Sequence, residues 1–234
     1  MVKIGNFFFH YRNFLFPVFY LAMFIPSTPI TDEYYKVAVV GGLIALSGEL
    51  TRMLTIGLAY IIRGGKGRRV YAEDLVTDGL YSHCRNPMYV GNILMIAGTG
   101  ILSNSFYFMW IGIPFFIFIW QAIVRAEEDY LLNKFGEGYK AYMKDVNRWA
   151  PRLGGLSETL GSMEFKWKRV ILKEYNTTWY WVMGCTLLIM IQMNNYDPDV
   201  LRRKWYVFAT LASLFTIVWL VVKVLKRKKV LVAN

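Results

Sequence analysis

The stretch VAVVGGLIALSGELTRMLTIGLAYII, residues 37–62, decides the fold. Crossing the hydrocarbon core of a bilayer takes a helix of about 20 mainly apolar residues, and this run exceeds that length with only Glu49 and Arg52 charged. It reads as a membrane-spanning helix. Ionised groups at that depth are costly, so both must face the bundle interior. Spaced three residues apart, Glu49 and Arg52 lie on neighbouring faces of the helix. They are candidates for binding a substrate headgroup; the plainer reading is an internal salt bridge that fixes helix packing. Gly41, Gly42, Ala45 and Gly48 let a second helix approach closely, and no glycine-rich nucleotide motif occurs in a strand-turn-helix context.

Outward from this run, the same length criterion marks 14–31, 88–102, 106–124, 177–193 and 205–222, of which 88–102 is the shortest. Residues 1–12, with Lys3 and Arg12 around Phe7, Phe8 and Phe9, read as an interfacial lead-in to the first span and not as a signal peptide. Ser103-Asn104-Ser105 reads as a tight turn that folds the third and fourth spans into an antiparallel hairpin. The 234 residues are 56% hydrophobic and 17% aromatic, with mean hydropathy +0.32, too apolar for an ordinary soluble domain. The expected fold is all-α: a polytopic transmembrane bundle of about six helices with a cytoplasmic amphipathic segment. A single integral membrane domain covers 1–234 and ends in an extra transmembrane hairpin over about 177–225.

Basic residues set the orientation. Arg63, Lys66, Arg68 and Arg69 follow the second span, and Lys223, Lys226, Arg227, Lys228 and Lys229 come near the end, which puts both termini in the cytoplasm. On the opposite side, Asp32 and Glu33 outweigh Lys36, whereas Arg202, Arg203 and Lys204 pull the other way. The polar segments 63–87 and 125–176 then share the cytoplasmic face, where a water-soluble cofactor would meet the protein. Orientation and contact with anionic lipid account for the net charge of +11, so no nucleic-acid partner is expected. Cys84 and Cys185 stand far apart without a partner motif, which supports neither a disulfide framework nor a metal site.

The densest polar stretch runs from Asp78 to Asn92 and enters the third span. Proline after Asn86 pushes that residue out of helical geometry and itself suits a first helical turn, so Asn86-Pro87 reads as a helix start with free N–H groups. Such an end favours an anionic group, and Arg85 would reinforce it; alternatively Arg85 and His83 snorkel to lipid phosphates. Arg125, Glu127 and Glu128 close the fourth span, and hairpin geometry returns the two glutamates to the level of Arg85 and Tyr89. Adjacent helical residues point about 100° apart, so one glutamate should face inward. These charges can pair among themselves or hold a zwitterionic cofactor. Gly136 reads as a helix stop. Beyond it, Tyr139, Tyr142, Val146 and Trp149 recur at helical spacing, the pattern of an amphipathic lid or of a surface anchor.

Taken together, Gly79-Leu80-Tyr81, Arg85-Asn86-Pro87-Met88-Tyr89-Val90-Gly91, Glu127-Glu128, Phe135-Gly136, Tyr139, Tyr142 and Pro151 resemble the integral-membrane methyltransferases, comprising isoprenylcysteine carboxyl methyltransferase and the phospholipid N-methyltransferases. The resemblance covers about 66–152, the expected methyltransferase core. It implies S-adenosyl-L-methionine as cofactor, with S-adenosyl-L-homocysteine as product. By the family pattern Glu73, Asp74, Leu75, Val76 and Tyr81 would line the nucleoside, Asn86, Pro87, Met88 and Tyr89 would lie along the cofactor body, and Glu127 would bind its polar end. Arg85, His83 and Glu128 are the catalytic candidates, the last two as bases for an amine acceptor. Arg125, Glu49 and Arg52 are the substrate-binding candidates. Asn86 stands where histidine is common in the family. Ile123 stands where isoprenylcysteine enzymes carry a substrate-binding arginine, which argues against a prenylcysteine carboxylate.

The implied partners are the membrane and a lipid or prenylated acceptor that enters from the bilayer. Trp179, Tyr180, Trp181 and Trp205 read as belt residues at the interfaces, or as an oligomer surface or substrate wall. Two other classes compete: an NADPH-dependent membrane reductase of the sterol type, and a transporter or scaffold that uses Glu49 and Arg52, although no inverted repeat is visible.

Overall fold

The computed structural model describes residues 1–59 and 70–232; Arg63, Lys66, Arg68, Arg69 and the last residues of the 37–62 run lie outside the described residues. Described helices are α1 (Val2–Tyr20), α2 (Tyr34–Leu58), α3 (Pro87–Leu102), α4 (Ile113–Phe135), α5 (Glu137–Asp145), α6 (Leu156–Ser162), α7 (Trp167–Tyr196) and α8 (Pro198–Arg227). A single isolated bridge, Pro29 to Ser105, is the only β pairing among the described residues. The protein is an all-α helical membrane bundle.

Among the described residues, three helices are long and apolar enough to cross a membrane: α2, α4 with the π-turn that precedes it, and α8. The 16 residues of α3 are apolar but shorter. Neither α1 nor α7 meets the same hydropathy criterion, because α1 carries Lys3, Arg12, His10 and two asparagines, and the uncharged part of α7 is diluted by Thr177, Thr178, Trp179, Tyr180, Trp181, Gln192 and Asn194. The expected 14–31 span is displaced: the helix begins at Val2 and ends at Tyr20, with Pro17 inside it. Phe9 is buried rather than interfacial, because Gly5 lets α1 press against Ala122 and Ala126 of α4. After a 3-10 turn, Leu21–Phe24, the chain leaves helical geometry before Pro26, which has no N–H to continue it.

At the far end of the bundle, Asn104 holds the α3–α4 turn at φ 53°. Its side chain accepts from the N–H groups of Ile30 (3.0 Å) and Thr31 (3.2 Å) and donates to the Thr31 carbonyl (2.7 Å). The predicted hairpin turn is thus also a dock for the α1–α2 connection. The expected loop near 197–204 is a break of one residue: Asp197 caps α8 by accepting from Val200 N at 3.2 Å, and Pro198 starts the helix. Trp179 stacks on Trp219 across that hairpin at 5.0 Å and donates to Thr216 Oγ1 at 3.1 Å. It therefore belongs to the α7–α8 seam.

The tightest seam joins α2 and α3. A Cβ on Gly41 would stand 2.5 Å from the Gly98 carbonyl oxygen, and one on Gly48 would stand 2.5 Å from that of Gly91. Small residues let the two backbones touch where dispersion, not the hydrophobic effect, must hold helices together. Gly42, on another face, would meet nothing within 4 Å. Gly98→Leu is expected to destabilise the fold by about 3 kcal/mol, since the opposing atoms are backbone and cannot rotate away; Gly42→Leu should be neutral. Thermal unfolding of both variants in detergent checks the difference.

Candidate functional site

The site is built where α3 begins. Pro87 is its first residue and Asn86 its N-cap, and α4 runs back beside it. Tyr89 OH donates to Glu127 Oε1 at 2.8 Å. Arg85 Nε and Nη2 reach Glu128 Oε1 at 3.2 and 3.1 Å. Both glutamates are buried, at 4% and 6% exposure, where one inward side chain was expected. Glu127 is covered by α3 while Glu128 is covered by the strap that follows α5, so a wider arc of α4 faces protein.

That strap corrects the lid reading. Helix α5 ends at Asp145 and Val146 is already extended, so Trp149 does not continue the helical face. Its indole donates to Gln121 Oε1 at 2.9 Å. The chain instead runs along the α3 entrance. Arg85 N donates to Asn147 O (2.9 Å) and Arg152 N to His83 O (3.0 Å). Arg85 Nη1 donates to the carbonyls of Met143 and Val146 at 2.9 and 2.8 Å, and Asn86 Nδ2 to that of Arg148 at 3.3 Å. Arg148 closes the clamp on Glu128 with contacts of 2.6 to 3.0 Å. Those hydrogen bonds push the Arg148 pKa further up, so the guanidinium stays charged. Arg85 and Glu128 thus act as a latch that holds the strap down. His83 also serves it, with Nδ1 2.7 Å from Arg152 O and Nε2 2.9 Å from Thr159 Oγ1.

Beneath strap and α5 lies a narrow cleft lined by Asp74, Leu75, Val76, Tyr81, Asn86 and Glu127. Its roof is Tyr139 and Tyr142, and Tyr142 OH donates to Tyr81 O at 2.6 Å. Lys134 ties the 70s segment to α4 by donating to the carbonyls of Ala72 and, at 3.1 Å, Glu73. The cleft's open volume, about 10 Å³, is that of one water, so a larger occupant requires the roof to lift. The donor set suits a molecule with a cationic end and a flat ring: carboxylates at Glu127 and Asp74, an amide at Asn86, and aromatic faces from Tyr81 and Tyr139.

Other residues singled out from the sequence lie elsewhere. Glu73 is exposed, and Pro87, Met88 and Tyr89 sit behind the cleft lining. Arg125 is exposed on α4. Glu49 and Arg52 form a separate cluster with α7: Arg52 pairs with Glu174 at 2.7 Å, not with Glu49. Leu131, Arg148 and Glu174 were missed. Leu131 follows Glu127 by four residues on one helical face, a legible signal; Arg148 and Glu174 carry none. Among the described residues no group of three or more His, Cys, Asp or Glu gathers. Cys84 is 1% exposed, and burial pushes its thiol pKa up. It should resist alkylation by N-ethylmaleimide at pH 7.5 until the protein unfolds, which mass spectrometry would read.

Residues 38–138 match the phospholipid methyltransferase family. The chain is 33% identical over 101 residues to the nickel-cobalt-cadmium resistance protein of Alcaligenes xylosoxydans, covering 43% of this chain and 46% of that protein. It is 35% identical over 109 residues to the cobalt-zinc-cadmium resistance protein of Cupriavidus metallidurans, covering 43% and 50%. It is also 32% identical over 134 residues to the protein-S-isoprenylcysteine O-methyltransferase of Xenopus laevis, covering 55% and 45%. The chain spans about half the length of the curated relatives it matches. No solved structure matches it. Over the matched stretch the chain is similar to the phospholipid methyltransferase family and to a protein-S-isoprenylcysteine O-methyltransferase.

Proposed function

We propose that this protein transfers a methyl group from S-adenosylmethionine to a lipid-like acceptor at the cleft between α3, α4 and α5. The observation that carries the reading is the buried Glu127, held by Tyr89 from behind, at the floor of a cleft roofed by tyrosines; both residues of the pair lie inside the segment that matches the family. When bound, the cofactor supplies a methyl group on a sulfonium, already activated for displacement by an acceptor lone pair.

The protein's own task is placement. Glu127, held by Tyr89, binds the cofactor's ammonium end; Asp74 and Asn86 hydrogen-bond its sugar and body; Tyr81 and Tyr139 enclose the ring and exclude water. Good alignment is worth up to roughly 7–11 kcal/mol of barrier. Arg85, Glu128, Arg148 and His83 are positioning residues that close the strap over the cofactor. This role replaces general-base work for His83 and Glu128, whose polar atoms are committed to the strap. The acceptor enters from the bilayer.

Both termini and the cleft lie on the cytoplasmic side in this reading. Support comes from the basic residues gathered at the cleft end: Lys166 N donates to Gly57 O at the end of α2, and Lys226 Nζ to Leu172 O at 3.2 Å near the start of α7. Incubation of membranes containing the protein with methyl-tritiated S-adenosylmethionine tests the proposal. Label is expected in the organic extract with wild type and not with Glu127→Gln; equal labelling by both would contradict it.

A further inference from the structure

At the cleft end of the bundle, α7 and α8 bring together cations that the proposed reaction does not use. Lys223, Lys226, Arg227, Lys228 and Lys229 fall within seven residues at the end of α8. Two of them are held by aromatic rings. Lys223 Nζ stands 4.3 Å from the centre of the Trp219 ring. Lys226 Nζ stands 4.9 Å from that of Tyr175 on α7 and donates to Leu172 O at 3.2 Å. Trp219 is itself fixed by its bond to Asn176 Oδ1 at 2.8 Å and by its stack on Trp179. Beyond α8 the chain turns back at Lys229, φ 56°, where Val230 N donates to Leu225 O at 3.0 Å, the closing turn of a helix C-terminus. The hairpin is antiparallel and Lys226 lies against Leu172, so Lys228 and Lys229 come to the level of exposed Lys168 and of Trp167, which is 67% exposed.

The protein itself does not answer this charge. Among the described residues none of the five cations pairs with a carboxylate. Glu174 on α7 is spent on Arg52, and Glu164 precedes the helix. The helix dipole accounts for little, being equivalent to about half an elementary charge at the C-terminus. Setting orientation calls for cations on this side, but not for cations fixed over rings beside an exposed tryptophan. That combination matches the headgroup layer, where indoles settle and a basic cluster at the end of a membrane helix attracts anionic lipid. We infer that the cleft-side ends of α7 and α8 form a docking surface for the phosphate groups of anionic phospholipid. Trp167 and Trp219 sit among the headgroups, and the five α8 cations with Lys168 meet the charge. This partner is held by its negative charge and needs no amine to accept a methyl group, so it is distinct from the acceptor. Every residue of the surface lies outside the 38–138 family match.

The test is thermal unfolding of the full chain in a neutral maltoside detergent, followed by far-ultraviolet circular dichroism. Dioleoyl phosphatidylglycerol, dioleoyl phosphatidylcholine and sodium phosphate are added in separate concentration series. A ligand that binds the folded state raises the melting temperature with its concentration, so each series yields an apparent affinity. Wild type is expected to show a saturable rise with phosphatidylglycerol and none with the other two. That rise should vanish in about 1 M sodium chloride, where the screening length is roughly 3 Å. Replacing Lys223, Lys226, Arg227, Lys228 and Lys229 together by glutamine is expected to weaken the apparent affinity at least tenfold. Should that variant fail to fold, Lys228→Gln with Lys229→Gln, at two exposed positions, is expected to weaken it severalfold. Absence of a rise with phosphatidylglycerol, its persistence at high salt, equal stabilisation by phosphatidylcholine or sodium phosphate, or unchanged affinity in the folded variants would overturn the inference. S-Adenosylhomocysteine affinity should be the same in wild type and the fivefold variant, since none of these residues lines the cleft. The outcome is therefore read separately from that of the methyl-transfer proposal.

Discussion

Glu127→Gln is expected to lose about 50-fold in affinity for S-adenosylhomocysteine while the protein stays folded. The substitution keeps shape and leaves an acceptor for Tyr89 OH, which sits 2.8 Å from Glu127 Oε1, so packing of α3 on α4 survives. What disappears is the charge opposite the cofactor's ammonium. A hydrogen bond to a charged partner contributes about 1.5–3 kcal/mol, and every 1.4 kcal/mol is tenfold in affinity. Tyr89→Phe should have a smaller effect, since it removes one hydrogen bond to the carboxylate without discharging it. Calorimetry with far-ultraviolet circular dichroism as the folding control separates the two. A Glu127→Gln protein that binds as wild type does would remove Glu127 from the site.

Arg52→Leu is expected to cost about 3–5 kcal/mol of stability, the penalty of leaving one member of a buried ion pair without its partner. Glu174, 3% exposed at its side chain, would be stranded, and Asn92 would lose its donor. The double variant Arg52→Leu with Glu174→Leu should recover most of that loss, because two apolar residues in lipid need no compensation. Denaturant titration in detergent micelles measures both. Equal instability in single and double variants would show that the pair contributes through shape and not through charge.

How much of this was legible in the sequence differs from element to element. The α2 span, the Ser103–Ser105 hairpin turn and the helix start at Asn86-Pro87 follow from length, turn chemistry and the restriction before proline, all local effects. The return of Glu127 to Tyr89 and of Glu128 to Arg85 follows from one tight turn between two helices. The strap was not legible. Tyr139, Tyr142, Val146 and Trp149 keep helical spacing, yet the chain straightens at Val146 because the carbonyls of Met143 and Val146 are taken by Arg85, a partner about 60 residues away. The pairing of Arg52 was equally hidden. Spacing offers Glu49 three residues away, whereas the actual partner, Glu174, comes from α7. Hydropathy windows also misplaced α1, since its aromatic N-terminal half packs on α4 despite Lys3 and Arg12. Long-range contacts decided each of these, and no local pattern records them.

The central claim is that the cleft floored by Glu127 holds S-adenosylmethionine. Its most direct test is calorimetric titration of the purified wild-type protein in detergent with S-adenosylhomocysteine, beside an identical titration with NADPH. Saturable binding of S-adenosylhomocysteine at one site per chain, with none of NADPH, is the predicted result. Binding of NADPH alone by the folded protein would contradict the account and assign the cleft to a reductase.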